Sequence, residues 1–366
     1  MESLAIGVVG MAVVVLMGSD IFQSVIVPRP TNAWRPSALI ARNGWRFATA
    51  VGTRLLDADR REALYGIYAP LLLVGLLAFW VAGLTLGFGL TFFALRSELR
   101  PEPQSYWASV YYAGSSLLTL GYGDIVAQRG GARAVSLAAA SVGLATFAIV
   151  TAFLFLLFGA FQRRETFILT LRERIGAPPS GVDLIERLAK LDMLDDLGPI
   201  FGRAEEWMAD LMESHLAYPV LSYFRSAHDN QSWVGTIGAL LDASTLVITT
   251  VDAGNVGQAK MLSGIGRHLV GDYVQYYRLF SRRDLQLEVG IERAEFDGAY
   301  DRLAQRGLSL HERDAAWAAF ASIRASYAVP LNAMAQYFRI PPALWIGDRS
   351  LIATRHAPVP VVRAGG

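Results

Sequence analysis

The sequence predicts an all-α membrane protein. It has three apolar segments long enough to cross a bilayer, a shorter apolar segment before the last of them, and a charged C-terminal half patterned at helix spacing. Composition points the same way. The 366 residues are 53% hydrophobic, too apolar for an ordinary soluble protein of that length, yet 18% are charged. Such a balance requires segregation: apolar residues crowd into about the first 160 positions and charges into the rest. A formal net charge of +1 carries no sign of nucleic-acid binding. With no cysteine, disulfides and thiolate metal sites are excluded.

A spanning helix needs about 20 mostly apolar residues. Residues 4–27, 68–93 and 134–161 satisfy this. The first begins Met1-Glu2-Ser3, acidic where a signal peptide needs positive charge, and is expected to be a true span. Between the first two spans lie Arg29, Arg35, Arg42, Arg46, Arg54, Arg60 and Arg61 against Asp57, Asp59 and Glu62. Basic loops stay inside the cell. Arg163, Arg164, Arg172 and Arg174 follow the third span, so the C-terminal part is also expected in the cytoplasm and the N-terminus outside. Asp20, late in the first span, is expected to snorkel or to meet an arginine at the inner surface. No span carries arginines at every third position, so a moving voltage sensor is not indicated.

Residues 106–118, in the outer loop, are apolar but too short to span. A re-entrant half-helix of that kind is stable only where protein buries it. It ends at Thr119-Leu120-Gly121-Tyr122-Gly123-Asp124. Placed after a half-helix and before an inner span, this hexapeptide resembles the filter of the potassium-channel pore family, over roughly residues 68–164. The resemblance implies that Thr119, Leu120, Gly121, Tyr122 and Gly123 form a filter binding K+, with Asp124 at the outer mouth. Backbone carbonyls replace the water of a dehydrated ion, and aiming them one way needs alternate left-handed backbone angles, which Gly121 and Gly123 supply without strain. The Thr119 hydroxyl would add the innermost ligands, and Leu120 and Tyr122 would point away into the wall. A carboxylate at Asp124 would concentrate cations, and the half-helix would present its partially negative end to the cavity.

Filter support is expected from Tyr111, Tyr112 and Ser115. The tyrosine pair stands where many family members carry tryptophans, Ser115 where some use an acid, and Leu118 where a second threonine is usual. Gly143 in the third span is either a gating hinge or a small residue that lets helices approach closely. One chain supplies one filter segment, so four must meet, and a homotetramer in contact with membrane lipids is implied.

The run Gly176-Ala177-Pro178-Pro179-Ser180-Gly181 marks a boundary. Beyond it, Leu184, Leu188 and Leu191, then Trp207, Leu211 and His215, and later Trp317, Phe320, Ile323 and Tyr327 recur at helix spacing, predicting a bundle of about five to seven helices. Arg225 and Asp242 are a candidate buried bridge, with His215 beside them. Residues 247–252, followed by Gly254 and Gly257, do not give the Gly-x-Gly-x-x-Gly turn of a dinucleotide fold. The five histidines lack metal-ligand spacing, and no nucleophile stands with a base, so no enzyme is indicated.

The expected organisation is a first span (1–28), an Arg-rich cytosolic linker (29–65), a pore module of outer helix, pore helix, filter and inner helix (66–164), a cytosolic helical domain (165–352) and a loose tail (353–366). The expected function is passive, K+-selective conduction across a bacterial plasma membrane, modulated by the helical domain, with no cofactor and an unidentified cytosolic ligand. Two alternatives remain open: a weakly selective cation channel, and a membrane-anchored sensor or scaffold with a vestigial pore.

Overall fold

The structure is a computed structural model that describes residues 1–27, 35–226, 230–252, 254–279 and 288–346. The predicted tail from 353 lies outside the described residues. The fold is almost wholly helical: α1 (Glu2–Ile21, prolonged by a π-helical turn at Phe22–Ile26), α2 (Pro36–Leu55), α3 (Ala58–Ala94), α4 (Tyr106–Leu117), α5 (Gly130–Ile175) and α6 (Gly181–Lys190). There follow α7 (Leu197–Ala217), α8 (Trp233–Thr249), α9 (Val256–Tyr277), α10 (Arg293–Gln305), α11 (Arg313–Arg324) and α12 (Ala328–Tyr337). Two short strands, β1 (Leu99–Arg100) and β2 (Val126–Ala127), pair antiparallel. The chain divides into two compact units, Met1–Gly159 with Ala217–Phe224, and Ala160–Leu216 with Arg225–Gly366.

In the first unit, α1 with its π turn, α3 and α5 are long and apolar enough to cross a membrane. Both α3 and α5 outrun the apolar stretches that predicted them. At 37 residues, α3 is about 55 Å long, against about 30 Å of hydrocarbon. Hydropathy reads only the apolar part, whereas helix hydrogen bonds continue into water. The true start is set by Asp57, whose carboxylate accepts the Arg60 amide at 2.9 Å. The supposed linker also holds a helix, α2, opened by Pro36 in its first turn.

Helices α1 and α3 meet through small residues. A Cβ on Gly10 would lie 2.6 Å from the Gly87 carbonyl oxygen, and one on Gly83 would lie 2.5 Å from the Met17 sulfur. Association inside lipid relies on such close packing, because lipid removes most of the hydrophobic drive. Asp20, 2% exposed, is buried rather than snorkelling, and among the described residues it pairs with no arginine. Its carboxylate accepts the Trp80 indole N–H at 2.7 Å and the Ser37 hydroxyl at 2.8 Å, tying α1 to α3 and to the start of α2. Replacement of Asp20 by alanine strands the buried indole N–H, at a cost of about 1–3 kcal/mol. A lowered midpoint for denaturant unfolding in micelles, partly restored in Asp20→Asn, is the expected result.

The second unit is built around α8. It is too short to count as a span, and nearly every residue from Trp233 to Val247 is buried. Helices α6, α9, α11 and α12 pack on it. Residues 247–252 are therefore the end of α8 and an isolated bridge, Val251 to Leu310, rather than a strand of a nucleotide fold.

Polar groups in this core pair otherwise than the sequence suggested. Asp242, 1% exposed, bonds to Arg324 Nε at 3.0 Å and accepts the Tyr327 hydroxyl at 2.7 Å. Arg225 donates to the Arg339 carbonyl at 2.6 Å. His215 Nε2 faces Arg164 Nη1 at 3.1 Å, and because an arginine only donates, that nitrogen accepts and Nδ1–H points to Ser214 Oγ at 3.0 Å. Burial, aided by the Arg164 charge, pushes His215 well below the usual imidazole range. Spacing along one chain could not reveal which helices face one another, and α8 turns its carboxylate toward α11.

At the surface of this unit, Arg302 bonds to Asp183 at 2.6 Å and Arg306 to Glu186 at 2.6 Å, joining α10 to α6. Partial burial pushes Glu186 upward, but hydrogen bonds from Arg302 and Arg306 outweigh it and hold the group below the ordinary carboxylate range.

Candidate functional site

The predicted filter residues sit where α4 ends. Ser105 starts that helix, its hydroxyl accepting the Ala108 amide at 3.2 Å. At the other end the carbonyls are capped by the segment itself. The Leu118 amide reaches Gly114 O at 2.9 Å, Thr119 N reaches Ser116 O at 3.2 Å, and Leu120 N reaches Ser115 O at 2.9 Å. The backbone of the predicted filter is thus launched from the last turn of α4 by hydrogen bonds.

Its handedness then alternates. Thr119 has φ +54°, Gly121 +62° and Gly123 +81°, with no positive φ at Leu120 or Tyr122 between them. In a plain strand, successive carbonyls point to opposite sides. Left-handed residues at every second position reverse alternate carbonyls, so that several face one way. A Cβ at Gly121 or Gly123 would meet nothing within 4 Å in the single chain, so backbone angle and not space is the reason for glycine here. Thr119 adopts a left-handed angle with a β-branched side chain, at a cost of about 1–2 kcal/mol. No composition rule predicted that.

Supporting residues divide by helix face. Tyr111 turns toward the predicted filter: its ring lies 6.2 Å from that of Tyr122 with only 4° between the planes, and the nearby Asp124 carboxylate pushes its hydroxyl above the usual phenol range. Tyr112, one residue on, turns the other way. It is buried, with its hydroxyl 2.8 Å from Ser136 Oγ and its ring edge-on to Phe92 at 4.8 Å. Ser115 is buried under the filter start, and its carbonyl holds Leu120. Leu120 and Tyr122, 51% and 65% exposed in the single chain, do not bury their side chains against their own half-helix.

Gly143 is where α5 crosses the end of α4. A Cβ there would stand 1.7 Å from the Leu117 carbonyl oxygen, a distance no real contact allows. Outside the predicted residues, Glu98 contributes a second anchor. Its carboxylate accepts the Ala132 amide at 2.7 Å at the start of α5, over Gly131, whose missing Cβ leaves room for it. The strand pair and a bond from Gln128 N to Glu98 O at 2.9 Å close the loop around the filter. Nothing in the local sequence pattern marks Glu98 as a helix cap 34 residues ahead.

A half-helix and a segment of alternating handedness are therefore assembled between two long apolar helices, α3 and α5. The family model described as "Ion channel" matches residues 77–159. That stretch is similar to an ion-channel domain. It holds all the predicted filter residues, together with Tyr111, Tyr112, Ser115 and Gly143. Among curated proteins, "Uncharacterized membrane protein YdjJ" of Bacillus subtilis (strain 168) is 22% identical over 199 residues, which are 53% of this chain and 57% of that protein. The chain thus spans little more than half the length of that relative. No solved structure matches the chain. The ion-channel domain supports a function in ion transport across a membrane.

Proposed function

We propose that the chain is one subunit of a homotetrameric, potassium-selective channel of a bacterial plasma membrane, its N-terminus outside and its helical unit cytoplasmic. The observation that carries this reading is the left-handed backbone at Thr119, Gly121 and Gly123, at the end of a half-helix inside an ion-channel domain. Carbonyls of Thr119, Leu120, Gly121 and Tyr122 and the Thr119 hydroxyl replace the hydration shell of K+. Asp124 forms a carboxylate ring at the mouth, and the Tyr111–Tyr122 stack fixes the width. Leu118, Leu120 and Tyr122 are exposed in one chain because they pack against its neighbours. The helical unit modulates the pore.

Reconstitution in liposomes with opposed potassium and sodium gradients tests this. A reversal potential close to that of potassium is expected, and one near zero would sink selectivity while leaving conduction. Gly121→Ala places a Cβ on a left-handed residue at about 1–2 kcal/mol per chain, summed around the ring. Lost potassium preference with a retained tetramer on native gels is the expected outcome.

A further inference from the structure

Eight residues of the C-terminal half belong to the first unit. The chain passes between the two units at three points: within α5, after Leu216 and after Phe224. The stretch between the last two, Ala217–Phe224, contains a short 3-10 turn, Pro219–Tyr223, and lies with the helices of the first unit. It is not a surface loop. Leu221 is fully buried, Tyr223 is 6% and Phe224 8% exposed.

Its aromatic residues reach two different places. Tyr223 packs at 5.3 Å from Trp45 of α2 and 5.5 Å, edge-on, from Tyr68 of α3. Trp45 in turn meets Tyr65 and Tyr68 at 5.3 and 5.1 Å, and the Tyr68 hydroxyl donates to the Ala41 carbonyl at 2.5 Å. That end is a fixed aromatic block. Tyr218 and Phe224 instead meet Phe153 and Phe158 of α5, at 5.4 and 6.4 Å. Those two phenylalanines lie beyond Gly143, near the end of the portion of α5 that belongs to the first unit.

We infer that Ala217–Phe224 is a strut that sets the position of residues 153–158 of α5 against the α2–α3 block, and through which movement of α7 reaches the pore-lining helix. The inference rests on the conduction reading above and adds its regulation. Edge-on aromatic contacts have preferred geometries, so a shift of the segment repositions the rings it touches. Because α7 runs directly into the segment, rearrangement of that helix displaces it through covalent chain.

The absence of cysteine from the sequence makes the test clean. In the full chain in liposomes, Phe153→Cys with Tyr218→Cys, joined by a short thiol-to-thiol cross-linker, is expected to change open probability about fivefold or more, in the range of ordinary coupling energies. Reversal potential should stay unchanged. Tyr223→Ala should shift open probability without cross-linker. Failure of the two cysteines to cross-link, or cross-linking with unaltered open probability, would overturn the strut. Should the parent protein carry no current, the conduction reading fails instead. Hydrogen exchange then decides: the strut requires cross-linking to slow exchange in residues 150–159, and unchanged exchange there refutes it.

Discussion

Substitution of Gly143 by alanine is expected to dismantle the seat of the filter, lowering the unfolding midpoint sharply and abolishing conduction. The added methyl would stand 1.7 Å from the Leu117 carbonyl oxygen, and that oxygen belongs to backbone, not to a side chain that can rotate away. Relief requires α4 and α5 to part by about 1.5 Å or more at their crossing. Overpacking of a tight core costs about 1–3 kcal/mol and more where backbone must move. Leu117 lies two residues before Thr119, so displacement passes directly into the filter. Gly75→Ala in α3 is the control, since a Cβ there meets nothing within 4 Å. It should leave stability unchanged or raise it by about 1 kcal/mol, the helix preference of alanine over glycine. Equal stability of Gly143→Ala and Gly75→Ala would refute the close crossing.

Arg324→Met is expected to destabilise the helical unit by about 3–5 kcal/mol at neutral pH, because it leaves a buried carboxylate unpaired. Arg324 is fully buried. It bonds to Asp242, to the Trp345 carbonyl at 2.7 Å and to the Val289 carbonyl. Burial already pushes Asp242 above its ordinary value, with Arg324 and Tyr327 pulling it back. Loss of the guanidinium removes that restraint and raises the folded-state value further. An acid whose value is raised by folding costs stability once the pH exceeds that value, and the cost disappears below the unfolded value. The deficit of Arg324→Met should therefore shrink as pH falls through the carboxylate range. Chemical unfolding of variant and parent across pH checks this, and a deficit that grew on acidification would contradict the pairing. The Arg324→Met/Asp242→Leu double variant should recover much of the loss, since removing both charges is far cheaper than removing one.

Hydropathy located α1, α3 and α5 because a bilayer demands continuous apolar sequence, and it located α4 because an apolar run too short to cross must fold back. Their ends were less legible. Asp57 and the arginines after it belong to the helix that hydropathy starts ten residues later. Helix α2 hid inside an arginine-rich stretch because its buried face is made of Ser37, Trp45, Ala48 and Gly52, only one of them a large apolar residue. Glycine positions predicted the left-handed angles at 121 and 123. Thr119 escaped, since its conformation is imposed by the capping of α4 rather than by its own side chain. Partners of Asp20 and Asp242 come from helices far away in the chain, and no spacing rule encodes that. The same holds for Tyr223, an unremarkable aromatic until Trp45 and Tyr68 are seen beside it.

Glu98 has a mechanical consequence. By gripping the first turn of α5 while Gly143 is jammed against Leu117, the fold pins that helix twice within its opening fourteen residues. A rod pinned near one tip can swing only about that tip, and its excursion grows with distance from the pins. The travel of such a lever is greatest toward Gly159, while the Thr119–Gly123 segment beside the fulcrum stays still.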